Sequence, residues 1–279
     1  MIGMGLFGSK KRSHDAAAVI TGAGSGIGAA FAAELARRGG RIVCSDIDEK
    51  AARATADAII AGGGSALAIH CDVTQIDDVQ RLAADAQDWF GGPPTLVINN
   101  AGVGAGGTPI GETSLDDWSW VLSINLWGPI NGCHVFTPIL REARYGGIIN
   151  VASAAAFGAA PGMAAYNVSK AGVLSLSETL AAELSGTGVN VTVLCPTFVK
   201  TNILISGGNS GRITAQSTQL ADRLMRWTGF SPERVARMCL DTNDRGGLYC
   251  MPQPDARIGW GIKRSHRRCT PAPPASPTA

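Results

Sequence analysis

A doubly wound parallel sheet in a single α/β domain is the fold class this sequence predicts, and three observations predict it. From about Ala16, short β-branched runs alternate with longer stretches of helical periodicity, the pattern of successive β-α units. Several of those runs are continuously apolar, as strands covered on both faces must be, where a strand with one wet face would alternate. The length, 279 residues, suits one large domain, and a second would leave both halves small.

Seven strands are expected near 17–21, 41–46, 66–71, 95–99, 147–152, 190–195 and 248–251, with helical patterns between them such as 27–38, 76–90 and 164–183. Residues 1–15 read as a flexible leader, the domain as 16–255, and 256–279 as a basic, Pro-rich tail. Within the leader, Met4-Gly5-Leu6-Phe7-Gly8-Ser9 would match an N-myristoylation signal only if translation began at Met4. The segment 198–230, rich in Gly, Ser and Thr, follows the sixth strand, where such length means a lid or binding loop.

The first strand runs into Thr21-Gly22-Ala23-Gly24-Ser25-Gly26-Ile27-Gly28, and a helical pattern starts there. Glycines at such a junction let the chain turn tightly and approach a pyrophosphate, whose charge meets free N–H groups and the positive end of the helix dipole. A glycine cluster alone is weak evidence. Asp46, eighteen positions past Gly28 at the end of the second strand, strengthens it. A carboxylate there accepts hydrogen bonds from adenosine ribose hydroxyls and repels the extra phosphate of NADP, so NAD is the favoured cofactor. Ser25, Ser45 and Ile47 are uncharged, and Arg41 lies at the far end of the strand. The plainer reading of Asp46 is a turn residue closing a strand.

A second cluster, Tyr166-Asn167-Val168-Ser169-Lys170, opens the helix at 164–183. A spacing of four puts Tyr166 and Lys170 on one face, one turn apart. A phenol is a poor base at neutral pH, and a neighbouring ammonium is the expected means of lowering its pKa for proton exchange with an alcohol.

With these motifs in place, the chain resembles the short-chain dehydrogenases/reductases, in the shorter branch with a TGxxxGxG turn. Thr21–Gly28, Asp72-Val73, Asn99-Asn100-Ala101-Gly102, Asn125, Ser153, Tyr166-x-x-x-Lys170 and the run 196–201 occur in the family's order over roughly residues 16–251. The resemblance implies a Rossmann fold and an NAD-dependent oxidoreductase interconverting a secondary alcohol and its ketone. It makes Tyr166 the acid/base, gives Lys170 the nicotinamide ribose, sets Ser153 against the substrate oxygen and has Asn125 hold a water in the proton relay. Cofactor contacts fall on Gly22, Ser25, Gly26, Ile27, Gly28 and Asp46, on Asp72 and Val73 at the adenine, on Asn99, Ala101 and Gly102 beside the fourth strand, and on Val199 and Thr201 at the carboxamide, with Tyr166 and Lys170. Thr197 departs from the pattern, since most relatives carry glycine after the proline.

Phe157, Trp127, Phe198, Ile203 and Leu204 fall near segments that line the substrate site in relatives, which hints at an apolar, aromatic or alicyclic substrate; simple packing is the plainer account. By resemblance a homodimer or homotetramer is expected, joined through the helices after Ser114 and Ala164. A net charge of +2 gives no field that implies nucleic acid, and no apolar run is long enough to span a membrane. The seven cysteines and four histidines lack disulfide or metal-ligand spacing, so no metal is expected and a reducing cytoplasm is. Competing readings are an NADP-dependent carbonyl reductase, against which Asp46 argues, and a non-catalytic nucleotide-sensing module, against which the complete catalytic set argues.

Overall fold

The structure is a computed structural model, and the residues it describes are 11–199 and 230–265. Seven strands form one sheet: β1 (Ala17–Thr21), β2 (Arg41–Asp46), β3 (Ser65–His70), β4 (Leu96–Asn99), β5 (Gly146–Val151), β6 (Val189–Leu194) and β7 (Tyr249–Cys250). Their order is β3-β2-β1-β4-β5-β6-β7, with every pairing parallel. The chain reverses its direction of winding between β1 and β4, and the crevice beyond the carboxyl ends of those strands is where a doubly wound sheet binds its ligand.

Consecutive strand residues feed different cores, which is why the strands are continuously apolar. Ile20, Ile42, Ile98 and Ile149 face one layer with Phe31 and Leu35 of α1 (Gly26–Arg37) and with Val235 and Leu240. Val19, Val43, Val97 and Ile148 face the other, with Leu82 of α3 (Ile76–Phe90), following α2 (Glu49–Ala61), and with Phe136 and Leu140. Beyond β4 come α4 (Leu115–Leu122), a π-helical turn (Ser123–Trp127) and α5 (Gly128–Ala143); α6 (Ala155–Gly158) and α7 (Ala164–Glu183) follow β5, and α8 (Pro232–Asp244) carries Val235 and Leu240. No described helix is long and apolar enough to cross a membrane.

Two boundaries differ from the sequence expectation. The end of the leader is tied down: Arg12 donates to the carbonyls of Gly146 (2.7 Å) and Gly188 (2.9 Å), and buried Ser13 is held through its N–H (2.8 Å) and hydroxyl (2.6 Å) by Asp244. Arg38 joins this knot by pairing with Glu34, Asp241 and Asp244. The guanidinium groups of Arg37 and Arg38 hold the Glu34 carboxyl down at about 2. At the other end, the boundary expected at 255/256 falls inside a helix, α9 (Pro254–Ser265), whose Ala256 is buried. Charged residues masked the apolar contacts of that helix: Trp260 packs edge-on to Phe157 at 5.3 Å and against Tyr249 at 5.2 Å. Lys263 and Arg264 lie on it, while Arg267 and Arg268 fall outside the described residues.

Candidate active site

At the end of β1 the turn is shaped by what cannot fit. A Cβ on Gly28 would meet the Gly22 carbonyl oxygen at 2.1 Å, and one on Gly22, whose φ is +65°, would meet the Ala101 Cα at 2.7 Å. Only glycine permits this approach of backbone to backbone. Asn100 then fastens the turn to β4, its side-chain amide donating to the carbonyls of Thr21 (2.9 Å) and Gly22 (3.0 Å). The Thr21 hydroxyl accepts from the N–H groups of Asn100 (3.1 Å) and Ala101 (3.2 Å). Exposed Ser25 stands before α1 without capping it, and the first turn carries no acidic side chain, so the positive end of the helix faces the crevice unopposed. That cradle fits a pyrophosphate.

Asp46 closes the same region from β2. Its Oδ2 accepts from the Gly24 N–H at 2.9 Å and its Oδ1 from the Asp48 N–H at 3.1 Å, which fixes the carboxylate against the glycine turn. Arg41, by contrast, is at the other end of β2, where its guanidinium donates to the Phe90 carbonyl. Asp72 and Val73 follow β3. Asp72 orders its own turn by accepting from the Thr74 N–H (2.9 Å), and Val73 is buried under Gly128, with its carbonyl accepting from Asn131 (2.9 Å).

The four expected catalytic residues come from three parts of the chain. Ser153 follows β5, Tyr166 and Lys170 share one face of α7, and Asn125 sits in the π-helical turn. Gly102 marks where two of them converge: a Cβ there would lie 3.0 Å from Asn125 Oδ1 and 3.4 Å from Lys170 Nζ. Ser153 hydrogen-bonds Tyr166, and that bond pulls the phenol pKa down while burial, the larger influence, pushes it up. Burial pushes Lys170 down to about 8, and among the described residues no ion pair includes it. Its Nζ lies 5.7 Å from the Tyr166 ring centre and donates to the Val151 carbonyl at 3.0 Å. The Lys170 ammonium is turned toward the strand, and burial is the larger influence on both groups.

Two further expectations are adjusted. Asn99 is almost fully buried and points into the protein, where its amide donates to Asn150 (2.8 Å), which in turn donates to Ser177 (3.0 Å). Its side-chain amide is thus used inside the core, while Asn100, Ala101 and Gly102 that follow are half-buried. The Asn125 side chain is largely committed to Val103, accepting from its N–H at 2.7 Å and donating to its carbonyl at 2.9 Å. One lone pair on Oδ1 is left for a water.

Val199 is buried in the core layer of α1 and α8, and Thr201, Ile203 and Leu204 lie outside the described residues. Phe157 is a packing residue beneath Trp260, while Trp127 is exposed on the π-helical turn. Behind Tyr166 a cavity of about 30 Å³ is bounded by the loop at Gly104–Thr108 and by Met163. A larger groove, about 340 Å³, lies between α8, β7 and α9 and is lined by none of the expected catalytic or cofactor-binding residues.

Sequence reasoning missed the locking roles of Thr21 and Asn100 and the π-helical turn. A signal for the turn was present. Pro129 has no N–H to donate to the Asn125 carbonyl four residues back, and the Gly128 N–H reaches the Ser123 carbonyl, five residues back.

The structure thus joins a parallel doubly wound sheet, a glycine cradle at its switch point and a Ser-Tyr-Lys cluster beside it. The chain belongs to the short-chain dehydrogenase family, whose model matches residues 16–209. It is 37% identical over 244 residues to 1-deoxy-11-beta-hydroxypentalenate dehydrogenase of Streptomyces exfoliatus, covering 87% of this chain and 84% of that one. It is 35% identical over 252 residues to the probable oxidoreductase EphD of Mycobacterium tuberculosis, covering 88% of this chain; it spans only 42% of that longer relative. Among solved structures, a short chain dehydrogenase/reductase from Burkholderia phymatum in complex with NAD superposes with a TM-score of 0.81 at 34% identity, covering 94% of this chain and 97% of that one.

Proposed function

We propose that this protein is an NAD-dependent dehydrogenase of secondary alcohols in which Tyr166 exchanges the proton. The observation that carries the reading is the convergence of Ser153, Tyr166 and Lys170 beside a glycine cradle whose second wall is the fixed Asp46 carboxylate. NAD, when bound, supplies the acceptor or donor of the hydride. In alcohol oxidation the hydroxyl proton would pass to the deprotonated Tyr166 oxygen as the carbon-bound hydrogen leaves as hydride; in ketone reduction the protonated Tyr166 would return it. Ser153 donates to the substrate oxygen, whose negative charge is largest in the transition state. Lys170 carries positive charge into the same dry region, and Asn125 offers its remaining acceptor to a water linking the site to solvent.

The choice of NAD over NADP rests on Asp46, a carboxylate held against the glycine turn by the Gly24 and Asp48 N–H groups, whose charge would repel a 2′-phosphate. For the substrate we favour an apolar alicyclic or aryl secondary alcohol, in keeping with exposed Trp127 and Phe198 and with the hydroxypentalenate named for one relative. Exposed Leu115, Trp127 and Val168 on α4, the π-helical turn and α7 support a homodimer or homotetramer built through those helices. The described cysteines are all free and buried, in keeping with a cytoplasmic protein.

The test is absorbance at 340 nm with NAD or NADP against aliphatic, alicyclic, aryl and steroid secondary alcohols. Reduction of NAD in preference to NADP, rising with pH as the oxidising direction requires of a protonated tyrosine, is the expected result. Faster reduction of NADP would replace this reading with the carbonyl-reductase one, and NAD binding without turnover on any alcohol would point to a nucleotide-sensing role.

A further inference from the structure

We infer that Gln253 is a positioning residue for the nicotinamide end of the cofactor site, acting through the loop that follows β6; the inference rests on the dinucleotide reading above. β7 is two residues long, and its last ladder bond to β6 runs from the Cys195 N–H to the Cys250 carbonyl at 2.8 Å. Beyond that point the partner chain runs Met251-Pro252-Gln253-Pro254, and the two prolines offer no N–H with which to continue the ladder. The peptide groups after Pro196 would otherwise lose their partner strand.

Gln253 takes the place of that strand. Its side chain is 1% exposed, and a primary amide carries the same donor and acceptor as a peptide group. Its Oε1 accepts from the Thr197 N–H at 3.2 Å and its Nε2 donates to the Phe198 carbonyl at 3.3 Å. A second tie is parallel to it: the Thr197 hydroxyl donates to Asp255 Oδ1 at 3.3 Å, in the first turn of α9. The φ of Thr197 is not among the positive values of the described residues, and its hydroxyl is used.

The clamped loop borders the catalytic end of the crevice. The Pro196 carbonyl accepts from the Ala154 N–H at 2.9 Å and lies 3.5 Å from the Ser153 hydroxyl, while Val199 is packed at the loop's far side. The adenine end, at Asp46, belongs to strands on the other side of the sheet centre. A residue acting on the loop alone must therefore affect the two halves of a dinucleotide unequally.

Binding of NADH and of ADP-ribose, which lacks the nicotinamide, should be measured by calorimetry for the wild type, Gln253→Met and Asp255→Ala, with melting temperatures alongside. Gln253→Met keeps the volume but removes both hydrogen bonds from the side-chain amide to the loop, and should weaken NADH about tenfold while leaving ADP-ribose within about twofold. Asp255→Ala removes only the exposed tie, folds without difficulty, and should weaken NADH alone by roughly twofold to threefold. If Gln253→Met does not fold, Asp255→Ala decides: a selective loss supports the clamp, and unchanged or parallel affinities overturn it. Where Gln253→Met folds, equal NADH affinity, or a parallel loss of both ligands, overturns it. A wild type that binds neither ligand would instead remove the dinucleotide reading on which the inference stands.

Discussion

The two halves of the crevice are built by opposite means. On the adenine side, β1, the glycine turn and Asp46 make a site by omission: side chains are missing wherever the backbone must come close, and Gly28 admits nothing beyond a hydrogen against the Gly22 carbonyl. On the side proposed as catalytic, Asn125, Ser153, Tyr166 and Lys170 make a site by inclusion, with Asn125 and Lys170 buried and Ser153 and Tyr166 half-buried, against the preference of Lys170 for water. The first half is rigid and costs little stability. The second half carries a buried lysine that no ion pair among the described residues includes, a cost that the proposed proton transfer would account for.

That contrast can be broken most forcefully at Lys170. Lys170→Met should lower kcat by roughly a thousandfold and yet raise the stability of the free protein. The sign follows from the pKa: the folded value, about 8, lies below the ordinary 10.5, so the unfolded chain binds more protons between those pH values. The penalty is complete below about pH 8 and disappears as pH rises toward 10.5. At neutral pH the shift corresponds to about 3 kcal/mol, from which roughly 1 is subtracted for the lost bond to Val151. Denaturant melts at pH 7 and pH 10 should show the variant ahead at the first and level with the wild type at the second; a less stable variant at pH 7 would mean that the lysine is well solvated.

On the cradle side the prediction has the other sign. Gly28→Ala drives a methyl into backbone, so it should destabilise the protein by about 1–3 kcal/mol and weaken NADH by roughly a hundredfold. Undisturbed NADH affinity in a folded variant would show that the turn is not where the dinucleotide lies. A smaller effect belongs to Asp46→Ala, which should cut the preference for NAD over NADP by about tenfold with little change in melting temperature, because Asp46 is only half-buried and the turn retains its glycines. An unchanged ratio of kcat/KM values would assign cofactor choice to another group.

The same contrast explains what the sequence made legible. β1, β2, α3 and α7 begin and end where periodicity and turn residues put them, with the remaining strands displaced by a residue or so, because strand and helix patterning is local. The glycine cradle was legible for the same reason. What escaped depends on contacts across the chain: the anchoring of Ser13 by Asp244, the burial of Asn99 against Asn150, and the packing of α9 through Trp260 onto Phe157. The orientation of Lys170 toward Val151 is likewise a tertiary fact that a four-residue spacing cannot contain.

The central claim is that Tyr166 exchanges the proton at a site whose dinucleotide cradle is built independently of it, and Tyr166→Phe tests it most directly. With an alcohol found active on the wild type, turnover at 340 nm and NADH affinity should be measured on one preparation of the variant. Loss of turnover by roughly a thousandfold or more with NADH affinity within about twofold of wild type is the result this account predicts. Turnover near the wild-type rate would contradict it, because the hydroxyl would then be dispensable to the reaction.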